Sequence, residues 1–126
     1  MLSLLLDEHV SPVVAVQLKR KHPGMRVVAL CDWQRGRFLG LADSIFLAAA
    51  AKEGLTLVTY DQRTIAPLLK RWMEQGVDHG GVVFVDQKTI EPQDFGGLVK
   101  SLGLLWISER KANWKNRVVF LRRAAG

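Results

Sequence analysis

The sequence predicts an α/β fold, a mostly parallel sheet of four to five strands with helices on both faces, and three observations carry that prediction. Short apolar runs alternate with longer amphipathic or alanine-rich stretches along the whole chain. Runs such as "LLL" and "GVVFV" are continuously apolar, as strands become when helices cover both faces of a parallel sheet. The segments "SP", "HPG" and "KEG" between the runs fall where helices would start or stop.

Residues 2 to 7 read as the first buried strand. Ser11 is a good N-cap and Pro12 suits the first helical position, opening a helix that runs to about Lys21 and stops at "HPG". "MRVVALCDW" (25 to 33) is the second strand, and "QRGRFLGLA" makes a loop with two glycines. The alanine-rich "DSIFLAAAAKEG" (43 to 54) is a helix with Gly54 as its stop. "LTLVTYD" (55 to 61) is the third strand, residues 64 to 76 the next helix, and "GVVFVD" (81 to 86) the fourth strand. Residues 91 to 106 read as a further helix weakened by Gly96 and Gly97, and "RVVFL" (117 to 121) as a fifth strand at an edge. The whole chain, 1 to 126, reads as one domain without repeats or linkers, ending in a basic segment over 109 to 123.

Composition narrows the function classes. A length of 126 residues with 48% hydrophobic content and a mean hydropathy of +0.07 suits an ordinary globular protein. No apolar stretch approaches the roughly 20 residues that cross a bilayer. "MLSLLL" lacks a basic leader and runs straight into Asp7, so it reads as a strand and not as a signal peptide. The single cysteine, Cys31, makes no internal disulfide, in agreement with a cytoplasmic protein. Eighteen Lys and Arg against 12 Asp and Glu leave a net charge of +6 and a pI near 9.9, which attracts polyanions such as RNA.

Acidic residues recur where the strands end. Asp7 and Glu8 close the first strand, Asp61 the third and Asp86 the fourth, so a parallel sheet would deliver all four to one edge. Open sheets of this kind bind ligands outside the carboxyl ends of the strands. Asp43, at the start of its helix, joins them if the glycine loop folds back, and is equally an N-cap. A carboxylate cluster is unstable unless a cation, a proton or a basic partner offsets its charge, and hard oxygen ligands suit Mg²⁺. Two such ions about 4 Å apart hydrolyse phosphodiesters elsewhere. His9, His22 and His79 are scattered and Cys31 is alone, so nothing suggests zinc, and His9 reads as a structural or rim residue.

"LLLDEHVSPVVAVQLK" and "ADSIFLAAAAKEGLTLVTYDQR", with the spacing between them, resemble the small PIN-like domains related to the nuclease toxins of toxin/antitoxin modules. The likeness covers about residues 3 to 86. It implies a PIN-like three-layer fold and an endoribonuclease dependent on Mg²⁺ or Mn²⁺. Asp7, Asp43 and Asp61 match the family's acidic positions, and Glu8 and Asp86 are added to the ligand set by position. The family often places a glutamate where this chain has Asp43, and an aromatic after the third-strand aspartate where this chain has "QRTI". The resemblance also implies an antitoxin partner and a homodimer.

Arg35 and Arg37 in the glycine loop, and Arg110, Lys111, Lys115 and Arg117 interleaved with Trp114, are the candidate RNA-binding residues, cations beside a base-stacking aromatic. Two other classes compete. A non-catalytic module of the same fold would bind RNA or protein without chemistry. A phosphoacceptor receiver domain would use Asp61 as acceptor, with Thr59, Ser44 or Lys88 as helpers.

Overall fold

The apolar runs become five short strands in the computed structural model, which describes residues 1–125. In chain order the elements are β1 (Leu4–Leu6), α1 (Pro12–Lys21), β2 (Val27–Ala29), α2 (Asp43–Lys52), β3 (Thr56–Thr59), α3 (Gln62–Gln75), β4 (Val82–Phe84), α4 (Phe95–Glu109) and β5 (Val118–Phe120). All strands are parallel, in the order β2-β1-β3-β4-β5. No described helix is long and apolar enough to cross a membrane.

The α/β prediction holds, and the sheet is entirely parallel. Each strand is shorter than its apolar run, because flanking residues such as Leu2 are buried by packing without pairing in the sheet. Capping by side chains moved two helix starts. Asp61 accepts the Thr64 N–H at 3.0 Å, so α3 begins at Gln62 and not at 64. Asp94 accepts the Gly97 N–H at 2.9 Å, so α4 begins at Phe95 and not at 91. Ser11 caps α1 as expected, with Pro12 in the first turn.

Alternation of side chains divides the core in two. Leu4, Leu6, Val58 and Val83 face α1 and α4, while Leu5, Leu57, Val82 and Phe84 face α2 and α3. Helices therefore cover both faces, in three layers. One connection departs from the usual pattern. α3 and α4 each carry the chain one strand further in the same direction, yet α3 packs with α2 and α4 packs with α1. The two crossovers thus have opposite hands, although parallel crossovers are right-handed in nearly all sheets. Val118 and Phe120 align with Val82 and Phe84 and share their face, which no helix covers at β5.

The other sheet edge is covered. After β2 a 3-10 turn (Trp33–Gly36) buries Trp33, which stacks on Phe38 with ring centroids 4.5 Å apart. Gln34 and Arg35 take left-handed backbone (φ 51 and 58), so the loop doubles back along α2. Trp33 Nε1 and Gln34 Nε2 donate to the Glu53 carboxylate at the far end of α2, which also pairs with Arg26 at 2.9 Å. The hydrogen bond from Gln34, then those from Trp33 and Arg26, hold the Glu53 carboxyl below its usual range. That contribution is present above the ordinary carboxylate range and is lost as pH falls through the lowered value.

Candidate active site

The order of strands reverses between β1 and β3, which is where open parallel sheets leave a crevice for ligands. Asp7 follows β1 and Asp61 follows β3, so the two acids stand on either side of it. Asp7 is buried, and its Oδ2 accepts the Thr59 hydroxyl at 2.6 Å while Oδ1 accepts the Glu8 N–H at 2.8 Å. The Thr59 hydroxyl in turn accepts the Asp61 N–H at 3.0 Å. One fully buried hydroxyl therefore fixes both acids. Thr59→Val strands the Asp7 carboxylate without that donor and is expected to lower stability by about 1–3 kcal/mol, measured by urea unfolding.

Asp43 does reach this edge. Burial, then the negative charges of Asp7, Asp61 and Glu8, raise its carboxyl above the usual range. It is not the N-cap of α2: Ala42 occupies that position, and Asp43 begins the first turn with no capping bond from its side chain. Its half-exposed carboxylate is free to face the crevice. Because the folded-state value is raised, ionised Asp43 opposes folding above the ordinary carboxylate range, and the penalty vanishes once pH falls low enough to protonate it in both states. The favourable helix dipole at its position offsets part of this. Asp43→Asn is expected to stabilise the fold at neutral pH by about a few tenths of a kcal/mol after solvent screening, read as a small rise in melting temperature, and not at about pH 3.

The remaining predicted residues separate. Glu8 is exposed and contributes to the charge on Asp43. Asp86 lies at the same sheet edge but turns away into its own loop, accepting the Lys88 N–H at 2.8 Å, and does not act on Asp43. Among the described residues no three His, Cys, Asp or Glu side chains converge closely enough to enclose a metal ion by themselves. The carboxylate oxygens beside the crevice are hard donors, which fits a hard cation held by one or two carboxylates, water and a substrate phosphate.

Residues 110 to 117 of the basic segment lie at the far edge of the sheet from the acids, whereas Arg123, past β5, is at the carboxyl edge and pairs with Asp94. α4 ends and β5 begins at the amino edge of the sheet, where the Arg110 carbonyl accepts the Leu2 N–H and Asn116 N–H donates to the His79 carbonyl. Trp114 is buried, its Nε1 donating to the Glu109 carbonyl, so it offers no face to a base. Arg117 lies over the Trp114 ring at 4.4 Å and pairs with Glu109, while Lys115 pairs with Asp78. Arg110 lies over Trp106 at 4.7 Å, and Lys111 is exposed. Arg35 is exposed next to Gln34, which is held at the far end of α2, and Arg37 lies over Phe38 at 5.7 Å.

Other residues take their place beside the acids. A cleft of about 470 Å³ is lined by His9, Tyr60, Asp61, Gln87 and Pro92. Tyr60 donates its hydroxyl to the Ile90 carbonyl at 2.9 Å, and burial, then the Asp94 charge, pushes it up to about 12. It stays a neutral donor at all ordinary pH. Arg63, exposed in the first turn of α3, stands two positions after Asp61. His9 lines this cleft and is exposed. The one sequence signal for Thr59 is a polar side chain within a buried run, which must find a partner.

No protein-family model matches this chain, and no curated protein or solved structure matches it.

Proposed function

We propose that this protein is a divalent-cation-dependent endoribonuclease of the PIN-like toxin type. The observation that carries the reading is the shared field of Asp7, Glu8, Asp43 and Asp61 at the strand-order reversal, which raises the Asp43 carboxyl. Carboxylates that oppose one another are relieved by a cation of the Mg²⁺ or Mn²⁺ kind. Such an ion would neutralise a phosphodiester and activate water. The chain's own residues do the rest. Thr59 orients Asp7, the capping bond to Thr64 orients Asp61, and the cleft beside Tyr60 and His9 takes the RNA. An antitoxin that blocks this edge and a homodimer belong to the same proposal.

Cleavage of labelled single-stranded and structured RNA with Mg²⁺, Mn²⁺ or EDTA tests it. Cuts that need the metal support the nuclease. RNA that is bound in EDTA, with an affinity that falls steeply with salt, but is never cut points to the binding module. Melting gives a readout independent of activity: millimolar Mn²⁺ is expected to raise the melting temperature of the wild type more than that of Asp43→Asn.

The strand order also matches flavodoxin-like sheets, which favours the receiver reading as the second choice. Its helpers fare poorly: Thr59 is committed to Asp7, and Lys88 belongs to the Asp86 turn. An acyl phosphate on Asp61 after incubation with acetyl phosphate would favour it.

A further inference from the structure

We infer that the cleft beside Asp61 is a base pocket that reads an adenine of the RNA through the side-chain amide of Gln87. Its use in cleavage rests on the nuclease reading, but the pocket itself stands on the loop after β4. That loop is fixed at several points. The Asp86 carboxylate accepts the Lys88 N–H at 2.8 Å, the Asp86 carbonyl accepts the Thr89 and Ile90 N–H groups at 3.0 Å, and Ile90 is fully buried. Tyr60 donates its hydroxyl to the Ile90 carbonyl at 2.9 Å, which ties the loop to the end of β3, one residue before Asp61. Gln87 stands inside this turn, exposed, and its amide has no hydrogen bond among the described residues. The loop therefore holds in place a donor and an acceptor that the fold does not use.

Shape and chemistry select the ligand. The cleft of about 470 Å³ has the size of a small-ligand site. Tyr60 and Pro92, both half-buried, give it flat walls, the kind of surface against which an unstacked base lies. A planar amide presents one donor and one acceptor side by side, which match N6 and N7 of adenine. Guanine offers two acceptors on that edge and takes Arg or Lys, neither of which lines the cleft. The Asp61 carboxylate, on the same lining, repels those two acceptors. Because Asp61 borders the pocket, a base held by Gln87 lies next to the phosphate that the cation would take. Cuts therefore fall beside adenine.

Anisotropy of labelled uridine octamers with A, C, G or U at one central position, in EDTA, measures the pocket without cleavage. Sequencing of cut ends under Mn²⁺ measures its use. The adenine octamer is expected to bind about tenfold tighter than the others, the worth of one bidentate pair, and cuts are expected to gather beside adenine. Gln87→Ala is expected to abolish both preferences and Gln87→Glu to move them toward cytosine, with melting unchanged in either because the side chain is exposed. Equal binding of the four octamers to the wild type, or an adenine preference that survives Gln87→Ala, overturns the inference. So does competition by adenosine monophosphate as strong as that of the adenine octamer, which would mark a site for the free nucleotide. Cuts without base preference overturn the pocket and leave the nuclease standing, whereas adenine-selective binding without cuts under any metal keeps the pocket and removes the nuclease.

Discussion

Asp61→Asn is expected to melt like the wild type and to lose cation-stimulated RNA cleavage by about 10²-fold or more, the scale of removing one group that stabilises developing charge. Asparagine caps a helix as well as aspartate, so the bond to the Thr64 N–H persists and α3 starts where it did. What disappears is the negative charge beside the crevice. Asp61→Ala would confuse the two roles, since losing the cap alone costs about 1 kcal/mol. Initial rates on a labelled RNA with Mn²⁺, beside circular dichroism melting of each variant, separate them. Unchanged cleavage in Asp61→Asn would overturn the nuclease, and a melting loss in the same variant would show that the cap itself needs the charge.

Gly81→Ala is expected to be strongly destabilising, by roughly 2–5 kcal/mol from backbone strain and overpacking together. Gly81 has φ +101, and a Cβ there would stand 2.6 Å from the Trp114 carbonyl oxygen and 3.2 Å from the Thr56 hydroxyl. Both neighbours are fixed. The Thr56 hydroxyl donates to the Gly80 carbonyl at 2.8 Å, and the Trp114 carbonyl accepts the Arg117 N–H at 3.2 Å. The segment is wedged between β3 and the turn that leads into β5. Gly54→Ala is the control: its φ is +69 but nothing lies within 4 Å of the added atom, so only about 1–2 kcal/mol of strain is expected. Equal melting temperatures for the two variants would show that the close approach to Trp114 relaxes freely.

His79 at this corner is buried, and burial, against the Asp78 charge, lowers its pKa, so it remains a neutral acceptor for Gly81. As a group depressed by folding, it withdraws stability when pH drops below its unfolded value.

Much of the frame was legible because it rests on local physics. "SP" starts α1 because Ser accepts a backbone N–H and Pro needs none, and Gly76 ends α3 in left-handed backbone. The position of Asp7 and Asp61 at one sheet edge follows from the parallel direction of β1 and β3 alone. Thr59 was harder to read, since its hydroxyl matters only through a residue 52 positions away. Trp114 misled because interleaved cations look alike whether they bind RNA or stack on a buried indole. Its burial depends on the neighbouring strand, which composition does not encode.

By itself the sequence determined the α/β class, the parallel sheet, the order of elements and the acids that close its strands, because apolar period, caps and turn residues act over a few positions. Only the tertiary structure decided that Asp43 lies in the field of Asp7 and Asp61, that Arg110 to Arg117 lie at the opposite edge, and that α4 crosses on the side that leaves β5 bare. Those outcomes depend on the hand of a connection and the return path of a loop, and both are set by packing among residues distant in the chain.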